Sequence, residues 1–148
     1  MSRALNNNPE INIDTKKRIF QIAKEMGYRP NAIAQGLVKR KTNTIGLIIP
    51  DITNPFFPEV ARGIEDAAHE KGFTVFLSNT NWDVEREKKY LNVLMQRQVD
   101  GLIIAPSSEK ASHLKKILDQ MTKTVFISRV IEHANSTSII IDNVRGAQ

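Results

Sequence analysis

The sequence predicts an α/β protein in which a small, basic, helical segment precedes a doubly wound parallel sheet. From residue 45 onward, short apolar runs alternate with amphipathic stretches, and the runs are continuous, as in strands covered on both faces. Residues 1–45 hold nine Lys and Arg against three acidic residues, whereas residues 46–148 hold twelve against thirteen. A basic segment before a neutral body is typical of a polyanion-binding module, although a solvated basic tail has the same charge.

The apolar runs of four or five residues are the predicted strands: 45–49, 74–77, 101–105, 124–127 and 138–141. The first helix between them begins with Asn54 and Pro55, an N-cap followed by a first-turn proline, and ends at Gly72. The second follows a cap at Asp83, and the third covers residues 111–121. The order β-α-β-α-β-α-β-β predicts one doubly wound sheet with right-handed crossovers.

Polar loops follow each predicted strand, at the edge where doubly wound sheets bind ligands. They are rich in Asn, Ser, Thr and Asp and lie beside three aromatic residues, Phe56, Phe57 and Trp82. Short hydrogen-bonding side chains next to aromatic faces suit a sugar-like or nucleobase-like ligand. The alternative is that the aromatic residues belong to the core or an interface and that the polar residues cap helices.

Signatures of catalysis and of cofactor binding are absent from the sequence. There is no Cys, no Gly-x-Gly pair for a nucleotide and no Gly-x-Ser-x-Gly elbow. The three histidines, His69, His113 and His133, are widely spaced and are predicted to be solvated. No stretch is apolar enough for a signal peptide or membrane span. We therefore expect a cytoplasmic protein that is not an enzyme and has no metal, cofactor or membrane partner.

The basic segment contains one well-defined predicted helix. It runs from about residue 13 to residue 26, is capped by Asn12 or Asp14, and ends at Gly27. Its predicted buried residues are Ile19, Ile22, Ala23 and Met26. Residues 30–37 are predicted to form two further helical turns, too few to be helical alone in water. So small an apolar face cannot stabilise an independent domain without additional devices.

Several short motifs, in this order and spacing, resemble the LacI/GalR family of bacterial transcriptional repressors. No single motif carries the resemblance, which extends over essentially the whole chain. The motifs include Ser-Arg-Ala-Leu-Asn at 2–6, Gly-Tyr-Arg-Pro-Asn at 27–31, Ala-Gln-Gly-Leu at 34–37, Asn-Pro-Phe-Phe at 54–57, Val-Asp-Gly-Leu-Ile at 99–103 and Ile-Asp-Asn at 141–143.

The resemblance implies a helix-turn-helix headpiece, a hinge helix and a periplasmic-binding-protein-like core. On this chain these would be residues 1–29, residues 30–44 and residues 45–148, the last being the N-terminal subdomain of the core. The implied partners are a duplex DNA operator, a sugar or sugar phosphate as effector, and a second copy of the chain through core and hinge. The implied DNA-binding residues are Ser2, Arg3, Asn6, Thr15, Tyr28, Asn31, Ala34, Leu37, Lys39 and Arg40.

Two roles stand out among these residues. Ala34 and Leu37 would lie in the hinge helix, with Leu37 as the apolar wedge that a symmetric pair inserts into the minor groove. Ser2 and Arg3 would lie late in the recognition helix. The effector would contact a cleft lined by Asp51, Asn54, Phe56, Phe57, Trp82 and Asp142.

The sequence also departs from the family pattern. Met1 falls inside the recognition helix, and Gln148 falls inside the core. We therefore expect a chain truncated at both ends and impaired in operator binding. The alternative function is that of a small-molecule binding protein with the same core fold and no DNA binding.

Overall fold

The structure, a computed structural model, describes residues 9–28, 41–109, 112–120, 123–131 and 136–140. The chain divides into two compact units, Met1–Lys39 and Arg40–Gln148. Among the described residues, the first unit contains one helix and the second contains a parallel sheet with three helices. None of the helices in these ranges is long and apolar enough to cross a bilayer.

In the first unit, helix α1 spans Ile13–Glu25. The Asn12 side chain caps it by accepting a hydrogen bond from the Asp14 backbone N–H at 3.0 Å. Gly27 follows the helix with a φ of +62°, and the Tyr28 N–H returns to the Ala23 carbonyl at 2.9 Å. The predicted helix is thus confirmed, with Asn12 as the cap.

The apolar face predicted for α1 is mostly exposed. Ala23 is buried, but Ile22 is 41% exposed and Met26 is 72% exposed, and Ile19 is only partly covered. The prediction of a buried face was therefore wrong for Ile22 and Met26. Burial of an amphipathic face requires a second element to pack on it, and residues 9–28 contain only this helix.

The second unit has the predicted alternation of strands and helices. Its elements, in chain order, are β1 Thr44–Ile49, α2 Phe56–Glu70, β2 Thr74–Asn79, α3 Val84–Gln96, β3 Gly101–Ile104, α4 Ser112–Leu118, β4 Thr124–Ile127 and β5 Ser136–Ile139. The strand order across the sheet is β2-β1-β3-β4-β5, and every neighbouring pair is parallel. The doubly wound parallel sheet is confirmed.

Helices cover both faces of the interior strand β1, which lies between β2 and β3. One face packs Leu47 and Ile49 with Phe57 of α2, and the other packs Ile48 with residues of α3 and α4. Leu47, Ile48 and Ile49 are 0% exposed. Burial of each such aliphatic side chain stabilises the folded state by about 1.5–3 kcal/mol. These two cores therefore hold the sheet to its helices.

The edge strands do not follow the prediction of strands covered on both faces. Phe76 and Leu77 in β2 are 42% and 45% exposed, and Ile139 in β5 is 59% exposed. A continuous apolar run is a reliable sign of burial on both faces only for a strand that has another strand on each side of it in the sheet. The lateral position of β2 and β5 in the sheet, which the sequence does not encode directly, leaves their side chains less covered.

Local signals correctly predicted both ends of α2 and the start of α3. The Asn54 side chain accepts a hydrogen bond from the Phe56 N–H at 3.1 Å, with Pro55 already at helical dihedral angles. The Asp83 carboxylate caps α3 by accepting hydrogen bonds from two backbone N–H groups, at 2.8 and 3.2 Å. Gly72, with a φ of +75°, ends α2 in a conformation that a side chain would disfavour.

Candidate effector site and DNA-binding segment

The loops that follow β2, β1, β3 and β4 lie side by side, because the strands are parallel and neighbours in that order. They bring Asp51, Ser107 and Ser128 to one edge of the sheet, beside Asn79 at the end of β2. The Asn79 side chain accepts a hydrogen bond from the Ile52 N–H at 3.2 Å, so the end of β2 is bonded to the loop after β1. Two neighbouring loops are therefore fixed relative to each other at this edge.

Asp51 forms a tight turn directly after β1. One carboxylate oxygen accepts hydrogen bonds from the Thr53 hydroxyl at 2.6 Å and from the Thr53 N–H at 2.8 Å. These two bonds hold the pKa of Asp51 below its ordinary value, and the bond from the Thr53 hydroxyl has the larger effect. The side chain is only partly covered, so it brings a negative charge to the surface of the candidate site.

The three aromatic candidates form one contiguous group. Phe57 makes edge-to-face contacts with Phe56, at a centroid distance of 5.1 Å, and with Trp82, at 6.3 Å. Phe57 is 5% exposed whereas Trp82 is 47% exposed. Phe57 therefore fits the interpretation of these residues as core, whereas Trp82 keeps the exposure that a ligand-binding role would require.

Trp82 occupies an unusual backbone conformation. Its φ is +60° and that of Asn81 is +56°, a region that costs a non-glycine residue about 1–3 kcal/mol. The Trp82 N–H donates to the Pro50 carbonyl at 3.1 Å, and the Asp83 N–H donates to the Thr80 carbonyl at 3.2 Å. The first bond holds the β2–α3 loop against the residue after β1, the second closes a turn within the β2–α3 loop, and both offset the strain.

Sequence reasoning missed a buried polar network below these loops. The Glu87 side chain in α3 is fully buried, accepts a hydrogen bond from the Ser107 N–H at 2.7 Å, and lies 2.6 Å from His113 Nε2. The Ser107 hydroxyl lies 2.7 Å from the Thr80 hydroxyl. One signal was available, because Glu87 shares the apolar stripe of α3 with Leu91 and Leu94.

The prediction of solvated histidines was wrong for His113. Its side chain is 11% exposed and pairs with Glu87, because α3 and α4 pack on the same face of the sheet. His69 is exposed on α2, as predicted, and His133 lies outside the described residues. No cluster of three metal-ligating side chains occurs within the described ranges.

In the first unit, the structure describes two of the candidate DNA-binding residues. Thr15 is exposed in the first turn of α1, and Tyr28, just after the helix, is 50% exposed. The remaining candidates lie outside the described residues: Ser2, Arg3, Asn6, Asn31, Ala34, Leu37, Lys39 and Arg40, together with Asp142 of the candidate effector site.

Two family profiles match this chain. Residues 42–147 match the family described as periplasmic binding proteins and sugar binding domain of LacI family. Residues 1–31 match bacterial regulatory proteins, lacI family. The class defined by the fold and the matches is that of periplasmic-binding-like domains joined to a regulatory headpiece. The chain belongs to the LacI family of bacterial regulatory proteins.

Three similar proteins illustrate the relationship. The chain is 40% identical to the HTH-type transcriptional regulator RegA of Clostridium saccharobutylicum, over 99% of this chain and 44% of RegA. It is 44% identical to the ribose operon repressor of Halalkalibacterium halodurans, over 72% of this chain and 32% of that protein. A LacI-family regulator structure from Silicibacter pomeroyi superposes with a TM-score of 0.81 at 30% identity, over 97% of this chain and 43% of that chain.

The chain spans less than half the length of these two relatives. The relatives are named as transcriptional regulators and a repressor, not as enzymes, in agreement with the expectation of a non-enzymatic protein.

Proposed function

We propose that this chain acts in a DNA-binding transcriptional repressor whose α/β unit binds a sugar-like effector at the carboxyl edge of its sheet. The observation that carries the proposal is the convergence of Asp51 and Trp82 at that edge, in a chain that matches the sugar binding domain of the LacI family. The proposed division of labour is residues 1–29 for the headpiece, 30–44 for the hinge and 45–148 for the effector core. Action on DNA places the protein in the cytoplasm.

The chemistry of the edge favours a sugar or sugar phosphate. A half-exposed indole ring, backed by the buried Phe57, offers an apolar face on which the C–H face of a sugar ring packs. The ionised Asp51 accepts hydrogen bonds from hydroxyl groups, which distinguish a sugar from an apolar ligand. Asn54 has its side-chain oxygen engaged in capping α2, so its contribution would come from the remaining amide N–H groups.

Effector binding is testable because Trp82 is the only tryptophan in the sequence. We expect D-ribose or ribose 5-phosphate to change the emission of Trp82 saturably, and we expect Asp51→Ala to weaken binding about tenfold, the effect of one lost charged hydrogen bond. Asp66→Ala, an exposed carboxylate on α2, is the matched control. The absence of a saturable change by fluorescence and by calorimetry would overturn the sugar proposal.

For DNA binding, the described part of the first unit offers positively charged side chains near the N-terminus of helix α1. Lys16, Lys17 and Arg18 follow Thr15 in the first turns of α1, and their positive charges and the Thr15 hydroxyl suit contacts with DNA phosphates. We expect affinity for duplex DNA to fall steeply with salt. Lys17→Glu should weaken binding, whereas Lys89→Glu, on the exposed surface of α3, should not. Salt-independent affinity would overturn this proposal, and sugar binding without any DNA binding would favour the alternative of a pure small-molecule binder.

We also propose a homodimer in which the core contribution comes from the edge strand β2. Among the described strands, β2 lies at an edge of the sheet, so its outer backbone groups have no strand partner there, and it carries two exposed apolar residues, Phe76 and Leu77. Sedimentation should show a dimer that Leu77→Lys dissociates. Val93→Lys, which charges a comparably exposed apolar residue on α3, is the control. A monomer at all concentrations, or equal effects of the two variants, would contradict the assignment.

A further inference from the structure

Glu87 is a charged residue in a place where charges are rare. It is 0% exposed and sits among core residues that include Leu91 and Leu94 of the same helix. Glutamate is almost never fully buried unless it is paired, since an isolated carboxylate loses its hydration without compensation. Its partners therefore indicate what the buried charge is for.

Both carboxylate oxygens of Glu87 have a partner from a different element. Oε2 accepts the Ser107 backbone N–H at 2.7 Å, in the loop between β3 and α4. Oε1 lies 2.6 Å from Nε2 of His113 in α4. An ionised carboxylate only accepts hydrogen bonds, so Nε2 is then the nitrogen that carries the proton and donates. Helix α3 is thereby bonded to the start of α4 and to the loop before it.

The network continues to the loop that carries Trp82. The Ser107 and Thr80 hydroxyls are 2.7 Å apart, and the Thr80 N–H donates to the Ile49 carbonyl at the end of β1, at 2.9 Å. Thr80 is 0% exposed and Ser107 is 8% exposed. The carbonyl of Thr80 in turn accepts the Asp83 N–H at the start of α3. Glu87 thus reaches the ends of β1, β2 and β3 through two residues.

We propose that Glu87 and His113 are positioning residues of the effector site, fixing the β2–α3 and β3–α4 loops so that Trp82 faces the ligand. The inference rests on the proposed sugar-binding function. A buried pair of apolar residues would fill the same volume without the desolvation cost of a charge. The polar network differs from apolar packing because its hydrogen bonds require particular distances and angles. It therefore fixes one arrangement of the two loops relative to each other, whereas apolar contacts allow several.

The experiment compares four variants of the whole chain: Glu87→Ala, Glu87→Gln, His113→Ala and Leu114→Ala. Leu114, 1% exposed beside His113, is the control for loss of packing in α4 without loss of the network. Glu87→Gln keeps the side-chain shape and an oxygen that can accept the Ser107 N–H. Urea unfolding gives the stability of each variant. Emission wavelength and acrylamide quenching of Trp82 report the β2–α3 loop, and titration with D-ribose and ribose 5-phosphate reports binding.

We expect Glu87→Ala and His113→Ala to increase the quenching of Trp82 and to weaken sugar binding about tenfold, the effect of one misplaced hydrogen-bonding contact. Glu87→Gln should recover most of both signals. Leu114→Ala should lose stability while keeping the Trp82 signals of the unmodified chain. If Glu87→Ala and Leu114→Ala change Trp82 equally, or if Glu87→Ala binds the sugars unchanged, the proposal is overturned and the network is structural only.

The two proposals fail in different ways. If the unmodified chain binds neither sugar, the proposed effector fails, and the Trp82 emission and quenching of the variants still decide whether Glu87 positions the loop. If Glu87→Ala does not fold, Glu87→Gln and His113→Ala decide instead. Normal Trp82 signals in both of the latter variants would overturn the positioning role.

Discussion

The Asp100 carboxylate accepts a hydrogen bond from the backbone N–H of Asn43 at 2.8 Å, although 57 residues separate the two in sequence. Its other oxygen accepts the Thr42 N–H at 2.9 Å and the Thr42 hydroxyl at 3.2 Å. Asn43 has a φ of +51°, and its carbonyl accepts the Thr74 N–H at 2.9 Å. Asp100 therefore fixes the point at which the chain enters β1, at the edge of the sheet opposite the candidate effector site.

Replacing Asp100 by Ala should lower the free energy of unfolding by about 1–3 kcal/mol, because two backbone N–H groups lose their acceptor. Partial exposure of the site places the expected value near the lower end of that range. Asp100→Asn keeps one acceptor oxygen and should lose less. Urea unfolding followed by Trp82 emission measures both, with Asp66→Ala as the exposed carboxylate control. Equal stability of Asp100→Ala and Asp66→Ala would contradict this role.

The two glycines Gly46 and Gly63 should respond oppositely to substitution by Ala. A Cβ at Gly46 in β1 would lie 2.7 Å from side-chain atoms of both Leu94 and Leu102, whereas nothing lies within 4 Å of one at Gly63. Overpacking of a core costs typically 1–3 kcal/mol, about what we expect for Gly46→Ala. Gly63→Ala lies on the exposed surface of α2 and should stabilise by roughly 0.5–1 kcal/mol through helix propensity. Thermal unfolding that moves in the same direction for both variants would refute the packing argument.

The turn at Asp51 predicts a measurable pH dependence. The Thr53 hydroxyl is the main cause of the lowered pKa of Asp51, so Thr53→Ala should raise that pKa toward its ordinary value of 3.8. A folded-state pKa below the unfolded one adds stability above the unfolded pKa, and that stability is lost as the pH falls through the folded pKa. As the pH falls from neutral to below that ordinary value of 3.8, the unmodified chain should therefore lose more stability than Thr53→Ala. Carboxyl chemical shifts of Asp51 across this range measure the pKa, and an unchanged value in Thr53→Ala would contradict the assignment.

Local signals explain why much of the fold could be predicted from the sequence. Asp83, Asn54 and Gly72 act on backbone groups only a few residues away, so their effect does not depend on tertiary contacts. The doubly wound sheet followed from the alternation of apolar runs and amphipathic stretches. The exposure of Phe76 and Ile22 could not be predicted in the same way, because it depends on which element packs on each face.

In the candidate site, too, some features could be predicted from the sequence and others depend on tertiary packing. Asp51 and Trp82 could be placed at the carboxyl edge, since parallel strands bring their loops together. The pairing of Glu87 with His113 joins residues 26 apart in sequence and requires α3 and α4 to pack on one face of the sheet. Periodicity predicts the two helices separately but not their contact, so His113 was expected at a solvated surface.

Phe57 should be needed for the placement of Trp82. Its ring is buried and lies edge-to-face with Trp82 at a centroid distance of 6.3 Å and with Phe56 at 5.1 Å, so Phe57→Leu removes both aromatic pairs at nearly constant apolar volume. We expect a loss of about 1–2 kcal/mol in unfolding free energy, combining the pair with imperfect repacking, and an increase in acrylamide quenching of Trp82. Phe20→Leu, at a 49% exposed position on α1, is the matched control and should change neither quantity. If Phe57→Leu left both the unfolding free energy and the acrylamide quenching of Trp82 unaltered, as expected of Phe20→Leu, the ring of Phe57 would not support the indole.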